Sequence, residues 1–178
     1  MVVPDICPRE EEFCSLVREV RQDLVKIAQG DDSYTAVLFA GSGTAVMDAA
    51  INSVVPPNGK IAILNNGAYG ERMVKIAKAY HIDYIELKYE FGAAIDLAEV
   101  ANTLKHDRQI NCLAMIHHET TTGRLNPIKE VGKIAKENNC TFIVDTISSF
   151  AGIPIDIKEC QIDFMMSTSN KCIQGMAE

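Results

Sequence analysis

Two periods of apolar residues alternate along the 178-residue chain. In "EEEFCSLVREVRQDLVKIA", Phe13, Leu16, Val17, Val20, Leu24 and Ile27 recur at helical spacing. That predicts an amphipathic helix after an irregular start containing Pro4 and Pro8. "YTAVLF" (34–39) reads as a short strand and "AGSGT" as a tight turn. "TAVMDAAINSVV" reads as a helix stopped by Pro56 and Pro57. The alternation then repeats. "KIAIL", "DYIEL", "CLAMIHH", "TFIVD" and "DFMMS" read as strands; "ERMVKIAKAY", "DLAEVANTL" and "IKEVGKIAKENN" read as helices.

Strands alternating with helices predict an α/β fold: a mostly parallel sheet with helices on both faces. The strands are almost continuously apolar, as burial on both faces requires. Ligands of such sheets sit beyond the carboxyl ends of the strands. The segments following the strands are "GSGT", "NNGAYG", "HETTTG", "DTISS" and "STSNK", each polar, glycine-bearing or ionisable.

Composition narrows the function class. The net charge is −7 and no basic run occurs, which argues against a nucleic-acid surface. No apolar run reaches the roughly 20 residues of a membrane span. The six cysteines form no CxxC pair and no signal peptide opens the chain, so the expectation is reduced thiols in a cytoplasmic protein. His117, His118 and Glu119 lack further ligands at suitable spacing and there is no HExxH, so no metal is expected; the histidines read as a strand-end polar pair.

Each strand-end motif has two readings. Ser42, Gly43 and Thr44 stand where a helix begins, a place suited to phosphate or merely to an N-cap. A dinucleotide fingerprint fits poorly, because Val46 holds the third glycine position and the next strand ends in Asn65 and Asn66 rather than an acid. Asp145 could face a cationic ligand group or cap a helix. Tyr69 could lie against a flat ligand or pack in the core. Lys171 could be a solvated side chain, a phosphate contact or a nucleophilic amine. Arg72 reads as a helix-surface residue, with a phosphate role in a dimer as the alternative, Cys172 as packing, and Arg124 as a lesser candidate for anion recognition. Taken together, a phosphate cradle, an aromatic plate, a buried acid and a lysine describe a pyridoxal-phosphate pocket.

The segments "LFAGSGTAVMDA", "NNGAYGERM", "HHETTTGRLNPI", "FIVDTISSFAGIPIDI" and "STSNKCIQGM" resemble the class V aminotransferase group of fold-type I pyridoxal-phosphate enzymes. "SNKCIQG" and "HETTTG" are similar to members that act on 2-aminoethylphosphonate. The resemblance implies pyridoxal 5'-phosphate as cofactor and Lys171 as the Schiff-base lysine. It implies Asp145 as partner of the pyridine nitrogen, Tyr69 as the stacking aromatic and Thr120 near the ring hydroxyl. Ser42, Gly43 and Thr44 would meet the phosphate, with Asn170 reaching it too. The implied reaction moves the amino group of 2-aminoethylphosphonate to pyruvate, so the partners are small amines and 2-oxo acids. Members are homodimers and roughly twice as long. Residues 1–178 would then be the large cofactor-binding domain, cut short at both ends, with 1–30 an N-terminal segment and helix leading into it.

Overall fold

A computed structural model describes residues 6–175. Pro4 therefore lies outside the described residues. The elements in chain order are α1 (Glu11–Ile27), α2 (Gly43–Val54), β1 (Lys60–Asn65), α3 (Ala68–Ala79), β2 (Asp83–Lys88), α4 (Leu97–His106), β3 (Ile110–Ile116), β4 (His118–Glu119), β5 (Arg124–Leu125), α5 (Ile128–Glu137), β6 (Thr141–Asp145) and β7 (Phe164–Met166). Five strands form one parallel sheet in the order β2-β1-β3-β6-β7. β4 and β5 make a small antiparallel ribbon, pairing Glu119 with Arg124.

Successive side chains of a strand point to opposite faces. Ile61 and Ile63 of β1, Cys112 and Ala114 of β3, and Ile143 of β6 pack with Met47 and Ile51 of α2 and Met73 and Ala77 of α3. Ala62 and Leu64, Leu113 and Met115, and Phe142 and Val144 pack with Val100 and Leu104 of α4 and Val131 and Ala135 of α5. Helices thus cover both faces, which explains why the central strands tolerate no alternation of polar residues. All five described strands of the main sheet start and stop within two residues of their predicted bounds.

One expectation fails. Tyr34–Phe39 is not a strand. It runs extended, held by Arg21, whose Nε donates to Ala36 O at 2.6 Å and whose Nη2 donates to Thr35 Oγ1 at 2.7 Å. Val37 is 81% exposed and Leu38 and Phe39 about half exposed. β-propensity measures fit to a pleated, half-buried surface, and no described strand lies alongside to provide one. The helix α1 forms as predicted, but its apolar stripe is barely covered. Leu16, Val20 and Ile27 are exposed, none of its residues is buried, and Leu24 alone packs on the core. Periodicity identifies the apolar face of a helix, not what lies against it. Helix α3 begins three residues earlier than predicted, taking Tyr69 into its first turn. Among the described residues, no helix is long and apolar enough to cross a membrane.

Candidate active site

The carboxyl ends of β1, β3, β6 and β7 open on one side of the sheet. A cavity of about 240 Å³ lies there, with Tyr69, His118, Thr120, Asp145, Ile147 and Lys171 on its walls. Four residues singled out in the sequence therefore meet in one place, contributed by the first turn of α3, the end of β6, and the segments after β4 and β7. Parallel strands side by side bring their ends together even when those ends are far apart in sequence. A more open depression of about 330 Å³ between Phe39, Asp48 and Tyr80 collects none of these residues.

Asp145 is 4% exposed. Its Oδ1 accepts the Ile147 N–H at 2.8 Å, its one hydrogen bond from a described side chain or turn. Burial raises the carboxyl to about 6, the Ile147 N–H opposes this, the Glu119 charge adds to it and Arg72 opposes it. A buried carboxyl with so little compensation favours its neutral form unless a positive charge comes close to it. Lys171 lines the same cavity from an exposed turn.

Ser42, Gly43 and Thr44 open α2 at the rim of this cavity rather than on its wall. Ser42 Oγ accepts from Ala45 N at 3.3 Å, so the N-cap reading holds for that side chain. Gly43 is a point of close approach: a Cβ there would lie 2.7 Å from Ile147 Cδ1 and 3.1 Å from Thr168 Cγ2. Nearby, Ser167 Oγ and Thr168 Oγ1 are buried without a hydrogen-bond partner. Asn170 is exposed and does not line the cavity. Arg72, read from the sequence as a surface residue, ties the parts together. Its Nη1 donates to Thr44 Oγ1 at 2.9 Å, and its guanidinium carbon sits 4.9 Å from the centre of the Tyr69 ring.

On the cavity wall, His118 Nδ1 lies 3.0 Å from Ser148 Oγ, and the buried His117 Nδ1 lies 2.9 Å from Ser149 Oγ. Burial pushes His117 down to about 4, so it is neutral near pH 7. Among the described residues, no group of three His, Cys, Asp or Glu is arranged to hold a metal ion.

The sequence pattern of Aminotransferase class-V matches residues 5–176. The chain belongs to the class-V aminotransferase family. A curated relative of this class-V chain, the 2-aminoethylphosphonate–pyruvate transaminase of Bacillus cereus, is 44% identical over 177 residues, covering 99% of this chain and 52% of the relative. A bifunctional phosphonoacetaldehyde hydrolase/aminoethylphosphonate transaminase of Clostridioides difficile (strain 630) is 47% identical over 176 residues, covering 98% of this chain and 28% of the relative. The class-V chain thus spans about half the length of the Bacillus relative and less of the bifunctional one. The solved alanine–glyoxylate aminotransferase of Nostoc sp. is 29% identical with a TM-score of 0.91, covering 98% of this chain and 46% of that one. Pyridoxamine-pyruvate aminotransferase of Mesorhizobium loti is 28% identical with a TM-score of 0.88, covering 96% and 43%. The fold is that of the fold-type I aminotransferases.

Arg72 is exposed on α3, as its surface reading had it; two features around the cavity carried no sign in the sequence, the burial of Glu119 and the Asn66–Asn126 pair. Glu119 stood in view inside "HETTTG", but a charged residue in a polar loop carries no sign that it is fully buried.

Proposed function

We propose that this chain is the cofactor-binding part of a pyridoxal-phosphate-dependent aminotransferase that moves the amino group of 2-aminoethylphosphonate to pyruvate. Phosphonoacetaldehyde and alanine are the products. The observation that carries the reading is that Lys171 and Asp145 line one cavity with Tyr69.

The residues present fit the cofactor. Asp145 is a buried acid short of a cation, and Ser167 and Thr168 hold orphaned hydroxyls beside the close approach at Gly43. When bound, pyridoxal 5'-phosphate supplies an aldehyde for the amino group and a ring that withdraws electrons. Asp145 would hold a proton on the ring nitrogen. Tyr69 would pack against the heterocycle, and Thr120 would serve the ring hydroxyl. Ser42, Gly43 and Thr44, at the positive end of α2, would serve the phosphate. Asn170, outside the cavity wall, would reach the phosphate from the turn before the lysine. Lys171 would supply the amine that holds the cofactor and the base that moves a proton at the carbon bearing the substrate nitrogen.

The substrate assignment is supported by the names of relatives that are 44–47% identical over nearly the whole chain, against 29% for the alanine–glyoxylate structure. The same reading makes the protein a cytoplasmic homodimer working on small amines and 2-oxo acids.

The test is spectroscopic. Pyridoxal phosphate added to the purified chain should give a visible absorption band that Lys171→Ala abolishes. Adding 2-aminoethylphosphonate without pyruvate should bleach the band. Absence of the band defeats the cofactor assignment; a band indifferent to that amine defeats the substrate assignment.

A further inference from the structure

We infer that Glu119 is a positioning residue, whose fully buried carboxylate fixes Tyr69 and Thr120 relative to each other on the cavity wall. The structural part of this inference stands alone; its consequence for the cofactor rests on the function proposed above.

The argument starts from an omission in the sequence. A helix leaves its first N–H groups without intrahelical partners, and Ser, Thr, Asp or Asn at the N-cap usually satisfies one of them. Helix α3 has Gly67 at its N-cap and no side-chain cap of its own. The caps come from a loop 50 residues away. Tyr69 N donates to Glu119 Oε2 at 3.1 Å and Gly70 N to the same oxygen at 3.3 Å. Ala68 N donates to Thr121 Oγ1 at 3.3 Å. The loop "HETTTG" thus receives all three N–H groups that open α3.

The other oxygen of Glu119 holds its own loop. Oε1 accepts from Thr121 Oγ1 at 2.7 Å and from Thr121 N at 3.3 Å. Each carboxylate oxygen therefore faces two donors, and the negative charge sits against the positive end of α3. Thr120 stands between Glu119 and Thr121, and Tyr69 is the residue whose N–H is held. One buried side chain, 0% exposed, ties both to one frame. Gly67 completes the clasp by lacking a side chain: a Cβ there would lie 2.3 Å from Glu119 Cγ.

An amide is a poor substitute. Glu119→Gln keeps the shape but turns an NH2 group toward one of the two donor pairs. The experiment compares wild type, Glu119→Gln and Thr121→Val; the last changes an exposed residue and replaces its hydroxyl, which donates to Glu119 and accepts from Ala68 N, with a methyl group. Amide hydrogen exchange is read on the cofactor-free protein, and pyridoxal phosphate affinity and the visible circular dichroism of the bound cofactor on the loaded protein. In Glu119→Gln, exchange at Tyr69 and Gly70 should speed at least tenfold while β1 and β3 keep their protection. Cofactor affinity should fall about tenfold, and the dichroism at saturating cofactor should change. Thr121→Val should shift the same readouts in the same direction but less. Unchanged exchange at Tyr69 and Gly70 in both variants overturns the clasp. Faster exchange with unaltered affinity and dichroism overturns the positioning role. If wild type takes up no pyridoxal phosphate, the cofactor assignment fails, and the exchange readout alone decides the clasp.

Discussion

The side-chain amides of Asn66 and Asn126 donate to each other across 60 residues of chain, Asn66 Nδ2 to Asn126 Oδ1 at 2.8 Å and Asn126 Nδ2 to Asn66 Oδ1 at 3.3 Å. Both residues are buried. Asn66 also donates to Ala93 O and Asn126 to Ile116 O, each at 2.9 Å. The pair stitches the turn after β1 to the end of β3, two segments bordering the cavity. Asn126→Ala removes the donor for Asn66 Oδ1 and for the Ile116 carbonyl. An unsatisfied buried group costs about 1–3 kcal/mol, so the variant should lose roughly 2–4 kcal/mol. Urea unfolding measures this; a loss under about 0.5 kcal/mol would refute it.

Asp145 and His117 give opposed pH dependences. Burial lifts Asp145 from 3.8 to about 6 and holds His117 down from 6.5 to about 4. Between about pH 4 and 6, folded Asp145 keeps a proton that the unfolded chain gives up, so its contribution to stability falls as pH rises. Over nearly the same window the unfolded chain protonates His117 and the folded one does not, so that contribution falls as pH drops. Each is worth about 3 kcal/mol at full extent, and together they nearly cancel. Asp145→Asn should therefore be more stable than the parent by up to about 3 kcal/mol at pH 7 and level with it near pH 4. Unfolding titrations from pH 4 to 7 read the difference, and parallel curves for variant and parent would contradict it.

Gly132 lies inside α5, where alanine is ordinarily favoured by about 1 kcal/mol. Here a Cβ would lie 1.9 Å from the backbone oxygen of Cys160. A backbone carbonyl in a packed loop cannot rotate aside as a flexible side chain can. The clash outweighs the propensity gain, and Gly132→Ala should destabilise by at least about 3 kcal/mol. A melting temperature equal to or above the parent's would show that helix and loop can separate freely.

Arg72 is exposed, so its pairing with the Tyr69 ring contributes only about 0.5–1 kcal/mol. Arg72→Ala should change stability by no more than that. Under the proposed function it should weaken pyridoxal phosphate binding roughly fivefold, which corresponds to about 1 kcal/mol. Arg72→Lys keeps the charge but loses the planar fork that reaches Thr44 while covering the ring, so it should restore little of the affinity. Fluorescence titration with the cofactor distinguishes the two variants; full rescue by lysine would mean that charge alone matters.

The layered fold was legible because burial on both faces leaves a strong mark on sequence. "KIAIL", "CLAMI" and "TFIVD" are apolar at nearly every position, and each became an inner strand. "YTAVLF" carries much the same mark without a described neighbour to pair with, and it is not a strand. Apolar, β-branched residues state a preference for a sheet; hydrogen bonds to a second segment satisfy it.

The sequence by itself determined the period of each element, the parallel α/β layering, and which residue types stand at the strand ends. These follow from local spacing and from the geometry of a sheet buried on both sides. Tertiary structure alone decided that Tyr69, Thr120, Asp145 and Lys171 share a cavity, that Glu119 is buried beneath α3, and that Arg72 bridges Thr44 and the Tyr69 ring. Burial and the partners of a hydrogen bond depend on segments 25 to 102 residues apart, and no local pattern encodes which of them will meet.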